Sequence, residues 1–334
     1  MPSEIQGLLV TWNFSQQLAD WGPDSEFDPV SLLAAREYCQ KVTIEHYENF
    51  AVVSRLLPKE LHPHFQSVYA FCRWSDDLGD EVEGAQKSLD LLAWWKEELE
   101  KCNLGQPRHP VFVTLKETID EFDIPLEPFE NLISAFEQDQ VKTEYQNLEE
   151  LTDYCRRSAD PVGRIVLHLF VEATPENFEL SDRICTGLQL ANFWQDIARD
   201  YEIARVYLPR EDREKSGYTD EMLEQKTSTP EFLALLKYEV NIARQFLLSG
   251  RPLVDRLPAK YQVDIDLFVR GGICILDRIE QVDFKTWETR PKVTKFDGVK
   301  LFCSAVMRKW GRRIGLSSRF AEVEPPNVEA EVTT

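Results

Sequence analysis

Apolar residues recur every three or four positions through ten successive segments of this sequence: 31–57, 64–83, 88–102, 111–122, 129–141, 147–171, 180–204, 231–250, 260–282 and 298–314. Such spacing lines one face of an α-helix, and little of the chain alternates polar with apolar residues as half-buried strands do. The sequence therefore predicts an all-α fold. Pro and Gly punctuate it at Pro58, Gly105 with Pro107 and Pro110, Pro125 with Pro128, Pro175, Pro209, Gly250 with Pro252, and Pro291. We expect one helical domain over residues 31–317, with a charged loop of partial helix over 210–230. A mobile N-terminal extension is expected over 1–30 and a disordered, acidic, Pro-containing tail over 318–334. At 334 residues the chain is long enough to enclose a central apolar cavity.

With 58 Asp and Glu against 38 Lys and Arg, the net charge is -20. That balance excludes a nucleic-acid binder, because phosphate backbones demand a basic footprint. An anionic substrate would need cations as intermediaries. The seven cysteines are scattered without a C-x-x-C pair, which argues against a disulfide framework or zinc knuckle and fits a reducing compartment. No signal-peptide pattern and no run of about 20 apolar residues occurs, so the expected location is cytoplasmic.

Two acidic stripes break the apolar pattern. In VYAFCRWSDDLGDE (68–81), Asp76 and Asp80 stand four apart, as do Asp77 and Glu81. In NFWQDIARDYEIARVYLPRED, which begins at 192, Asn192, Asp196 and Asp200 repeat that interval before Arg205, Tyr207 and a Leu208-Pro209 stop. Residues four apart share a helix face, where like charges cost an isolated helix a few tenths of a kcal/mol per pair. A solvated acidic face is the plain reading of such spacing. Asp20, Asp24 and Asp28 show it too, but Gly22 and Pro23 make that stretch a loop. The other two stripes sit among large hydrophobes, Tyr69 to Phe71 before the first, and Leu188, Leu190, Phe193 and Trp194 around the second. Carboxylates so placed are either buried at a cost or coordinate a cation, and single hard oxygens with room for water and phosphate suit Mg²⁺.

Two facing stripes would hold a diphosphate through several Mg²⁺ ions. Arg73, three residues before Asp76, and Arg205 are candidates for forked hydrogen bonds to phosphate, or equally for salt bridges within the stripes. Gln189 lies three before Asn192; Tyr69 and Tyr207 are either phosphate donors or core aromatics.

YAFCRWSDDLGDE together with LQLANFWQDIARDYEIARVYLP resembles the two aspartate-rich motifs of the squalene and phytoene synthase family, the head-to-head class I isoprenoid synthases. HYENFAVVSRLLP (46–58), YCRRSADPVGRIVLHLF (154–170) and GGICILDRIE (271–280) follow the family in order, so the likeness covers about residues 40–315. HYENF and ANFWQD are most similar to the branch that makes hydroxysqualene in bacterial hopanoid biosynthesis; condensing members carry an Ile-Leu-Arg-type triplet where this chain has Phe193, Trp194 and Gln195.

The resemblance implies a single-domain helical bundle that takes presqualene diphosphate and Mg²⁺, without NADPH. It implies that Asp76, Asp80, Asn192, Asp196 and Asp200 hold the metal and diphosphate. Arg73, Gln189, Tyr69, Arg205, Tyr207 and His46 match positions that contact phosphate or shape the site. Functional coupling to a presqualene diphosphate synthase and a hydroxysqualene reductase, and transient contact with the inner face of a membrane, are further expectations of that branch. Ser158 to Phe170, with Ala159, Pro161 and Gly163, is expected to break its helix and either pass an isoprenoid chain or permit close helix packing. Trp194 is either a cation-stabilising ring or core packing. The same motifs fit a condensing synthase acting on two prenyl diphosphates. A terpene cyclase fits the second motif less well, and a non-catalytic scaffold would tolerate Asp80→Asn.

Overall fold

The computed structural model describes residues 12–45, 57–292 and 326. They fall into two compact units, one ending at Ile124 and the other beginning at Pro125. In each, one long helix packs against several of the others.

The first unit contains α1 (Phe14–Trp21), α2 (Leu32–Glu45), a 3₁₀ turn (Lys59–Leu61), α3 (His62–Asp80), α4 (Ala85–Asn103) and α5 (Pro110–Phe122). Helix α3 packs against α2, α4 and α5. Its apolar stripe buries Phe65, Val68, Phe71, Trp74 and Leu78, and Trp74 stacks on Trp95 of α4 at 5.3 Å and 12°. His109 caps α5 by accepting the Val111 N–H through Nδ1 at 3.2 Å, and Pro110 follows at the position where a missing N–H costs nothing. The imidazole lies edge-on to Trp74 and Trp95, and complete burial holds its pKa well below the ordinary value, so it is neutral.

Helix α1 lies inside the stretch expected to be a mobile extension. Asn13 caps it by accepting from Gln16 N at 3.0 Å. Phe14 is buried against Trp74 at 5.3 Å, and the chain Trp74 Nε1 to Tyr38 OH to Gln17 Oε1, at 3.0 and 2.9 Å, fastens it further. Phe14 against Trp74 and this part-buried hydrogen-bond chain tie α1 to α2 and α3.

The second unit contains α6 (Glu127–Asp139), α7 (Leu148–Ser158), α8 (Asp160–Leu169), α9 (Pro175–Glu202), α10 (Arg210–Ser216), α11 (Asp220–Glu224), α12 (Pro230–Gly250), α13 (Leu253–Arg256) and α14 (Gln262–Gln281). The long α9 packs on α8, α12 and α14. Close approach is possible because Gly250 of α12 meets α9 backbone to backbone: a Cβ there would stand 2.6 Å from the Leu180 carbonyl oxygen.

The segment over 147–171 is two helices, broken within the stretch where a break was expected. Ala159 turns out of helical geometry at φ -120°, since the Pro161 ring cannot continue a helix from below. Gly163 permits close helix packing: a Cβ there would fall 2.3 Å from Ser181 Oγ and 2.6 Å from Cys185 Sγ of α9. The predicted helix at 298–314 and the tail fall outside the described residues, Pro326 apart. All six described cysteines are free thiols. Among the described residues no helix is long and apolar enough to cross a membrane.

Candidate active site

On α3 the half-exposed and exposed residues Gln66, Tyr69, Arg73, Asp76 and Asp80 form one continuous stripe at steps of three and four, opposite the Trp74 face. Four expected site residues are therefore brought together. Asp76 keeps 40% of its side chain exposed and pairs with Arg73 Nη1 at 3.2 Å. Asp80 is exposed at the helix end. Tyr69 is half-buried, and burial raises its pKa, so it stays a donor at neutral pH. Asp77, adjacent in sequence, turns the other way and is fully buried. Its Oδ1 accepts from Arg73 Nη2, and its Oδ2 accepts from Trp12 Nε1 at 3.0 Å.

On α9 the second stripe runs through Gln189, Asn192, Asp196 and Asp200, with Asn192 the most open of the four. Trp194 faces the core and donates Nε1–H to the Glu239 carbonyl at 3.2 Å; Gln195 donates to the Pro291 carbonyl at 2.7 Å. Asp196 accepts both arms of Arg290, from Nε to Oδ1 and from Nη2 to Oδ2, the latter at 3.0 Å.

The end of α9 decides where Arg205 and Tyr207 go. Ala204 adopts φ +60°, so Ala204 N reaches the Tyr201 carbonyl at 3.1 Å and Arg205 N the Asp200 carbonyl at 2.8 Å. This double closure is a Schellman motif, formed here without the usual Gly. It reverses the chain and sets Arg205 beside Asp200, whose ionised form Arg205 favours. Val206 then pairs with Thr143 (N to O, 2.7 Å), and Tyr207 drops beneath the stripe. Tyr207 is 8% exposed and stacks on Phe193 at 3.7 Å and 12°, beside Tyr145 and Tyr154. The structure thus groups Tyr207 with the core aromatics and not with the open stripe. His46 lies outside the described residues.

Asp200 carries the clearest electrostatic signature. Burial, then the neighbouring Asp196, push its pKa up to about 7 against the opposing charges of Arg205, Arg199 and Arg290. Its Oδ2 is buried without a hydrogen-bond partner among the described residues. An orphaned carboxylate oxygen beside a second carboxylate is a fit for a cation. Among the described residues no three His, Cys, Asp or Glu side chains converge on one point. Each stripe offers two carboxylates, with an amide on the second, which matches an ion that completes its shell with water and substrate oxygens.

Sequence reading missed Arg290, Trp12 and the role of Asp77. Arg290 reaches Asp196 from 94 residues away and Trp12 reaches Asp77 from 65, and no local pattern points to either. Asp77 was within reach: one residue past Asp76 is about 100° around the helix, which joins it to the Trp74 and Leu78 face.

Residues 44–297 match the squalene/phytoene synthase family model. The chain belongs to that family. Among curated relatives, the hydroxysqualene synthase of Rhodopseudomonas palustris is 33% identical over 66% of this chain and 75% of its own length. The 15-cis-phytoene synthase of Synechocystis sp. is 28% identical over 79% of this chain and 82% of its own. Of solved structures, the squalene synthase HpnC from Alicyclobacillus acidocaldarius superposes with a TM-score of 0.74 at 41% identity, covering 77% of this chain and 97% of that one. A dehydrosqualene synthase superposes with a TM-score of 0.76 at 22% identity over 83% of this chain and 97% of its own, a likeness of fold. The protein is thus an enzyme of the squalene/phytoene synthase type with an isoprenoid synthase helical fold, and its family works on prenyl diphosphates joined head to head.

Proposed function

We propose that the protein converts presqualene diphosphate and water into hydroxysqualene and diphosphate. The observation that carries this branch is the higher identity to the hydroxysqualene synthase and to HpnC, at 33% and 41%, than to the phytoene synthase, at 28%. The residues of both stripes suit the chemistry.

Asp76 and Asp80 of α3, with Asn192, Asp196 and Asp200 of α9, are the oxygens that would hold Mg²⁺. When bound, the metal would neutralise the diphosphate and stabilise the charge that develops as the C–O bond breaks. Arg73 and Arg205 add forked N–H donors for phosphate oxygens, and Tyr69 a hydroxyl. Apolar helix faces exclude bulk water while the cyclopropylcarbinyl cation opens, and one water closes the reaction as the tertiary alcohol. The C–O bond to diphosphate breaks, a C–O bond to water forms and a proton leaves. No oxidation state changes, so the reaction as written needs no NADPH.

We place the enzyme in the cytoplasm, with substrate supplied by a presqualene diphosphate synthase and product consumed by a hydroxysqualene reductase. Brief contact with a membrane would serve both oily molecules. A condensing activity is the second reading, supported by the phytoene synthases among the relatives.

The test is incubation of purified protein with Mg²⁺ and no NADPH, in parallel with presqualene diphosphate and with farnesyl diphosphate, followed by mass spectrometry of the lipids. Hydroxysqualene from the first substrate alone is expected. Presqualene diphosphate or a hydrocarbon from an allylic diphosphate would move the protein to the condensing branch. In either branch, Asp76→Asn combined with Asp196→Asn is expected to lower turnover by at least about a hundredfold with the helical circular dichroism retained.

A further inference from the structure

Arg73 is shared between two carboxylates of unlike surroundings. Asp76 is 40% exposed and open to a ligand; Asp77 is wholly buried. An exposed ion pair is easily exchanged, whereas separating a buried one strands a charge in a poor solvent. When Asp76 turns to a cation, Arg73 keeps its hold on Asp77.

What keeps Asp77 in place comes from the N-terminal segment. Trp12 Nε1 donates to the second oxygen of Asp77 at 3.0 Å. Trp12 directly precedes the Asn13 cap of α1, and α1 is itself anchored through Phe14 on Trp74 and Gln17 on Tyr38. A carboxylate with a donor on each oxygen is fixed in angle. The guanidinium it holds therefore has a set position on the open stripe, at the step between Tyr69 and Asp76.

We infer that Trp12 and Asp77 are positioning residues that hold Arg73 for the diphosphate of the substrate, so that the N-terminal segment is a working part of the site. The inference rests on the diphosphate reading above and adds to it two residues, of which one lies 61 positions from Arg73 in the stretch expected to be an N-terminal extension.

The experiment is calorimetric titration of the full chain with inorganic diphosphate in the presence of Mg²⁺. Trp12→Phe keeps an aromatic ring at position 12 and removes the N–H donor together with the pyrrole half of the indole. It is expected to weaken diphosphate about tenfold, the scale of one lost hydrogen bond to a charged group. Asp77→Asn is expected to do the same by loosening the guanidinium. The deciding measurement is the pair with Arg73→Gln: once Arg73 is gone, adding Trp12→Phe should weaken binding no further, because the bond to Asp77 acts only through Arg73. A Trp12→Phe protein that binds diphosphate as the unsubstituted chain does would overturn the inference, as would losses that multiply in the double variant, the mark of a general packing effect. If the unsubstituted chain itself binds no diphosphate with Mg²⁺, the reading of the site falls first and this inference with it.

Discussion

Arg290 grips both carboxylate oxygens of Asp196 from 94 residues further along the chain. Asp196 keeps only 13% of its side chain exposed, so without Arg290 it would be a nearly buried, unneutralised carboxylate beside Asp200. Arg290→Gln is expected to destabilise the metal-free protein by about 1–3 kcal/mol. It should also make stability respond more steeply to added Mg²⁺, because the ion then supplies the missing positive charge. Thermal unfolding of both proteins across a Mg²⁺ series checks this, and an equal response in the two would contradict it.

Asp200 predicts a pH dependence with a definite sign. Its carboxyl titrates at about 7 in the folded protein against 3.8 as its ordinary value. Between these the folded chain holds a proton that the unfolded chain has lost, so this group's favourable contribution is full below about pH 4 and is lost as pH rises through about 7. Asp200→Asn, which cannot ionise, should therefore raise the melting temperature of the metal-free protein by several degrees at about pH 8 and barely move it at about pH 4. A constant difference across that range would refute the assignment.

Tyr207 separates resemblance from geometry. Its family position suggests contact with phosphate, yet its ring lies on Phe193 in the core. Tyr207→Phe is expected to leave the affinity for diphosphate within about twofold, since the ring stack survives. Tyr207→Ala should cost about 3–5 kcal/mol of stability by opening a cavity under the second stripe. Calorimetric titration and urea unfolding measure the two effects; a strong affinity loss in Tyr207→Phe would restore the phosphate role.

Gly250→Ala tests the packing of α12 on α9. The added methyl would press on the Leu180 carbonyl oxygen and on Ile184 N, 2.6 and 2.9 Å away, and backbone gives way reluctantly. A loss of about 1–3 kcal/mol is expected in urea unfolding.

Helix content was legible because burial on one side imposes a three-to-four-residue rhythm that few other structures share, and the two aspartate stripes were legible because the same rhythm places Asp76 over Asp80 and Asp196 over Asp200. The break at Ala159 could be read from Pro161. Arg290 and Trp12 could not be read, since their partners are set by tertiary packing. Which of its two readings Tyr207 follows could not be read for a different reason: the left-handed turn at Ala204 and the pairing of Val206 with Thr143 fix which side it takes, and Ala carries none of the usual preference for that turn.

The indole pair Trp74–Trp95, held parallel at 5.3 Å against a neutral imidazole, makes the first unit optically distinctive. Two stacked chromophores so close couple their transitions, and an uncharged His109 spares them the quenching that a protonated imidazole brings. Circular dichroism in the indole bands should therefore carry a contribution from this pair that is lost when α3 and α4 part, giving the unit that bears Arg73 and Asp76 an intrinsic reporter of its own integrity.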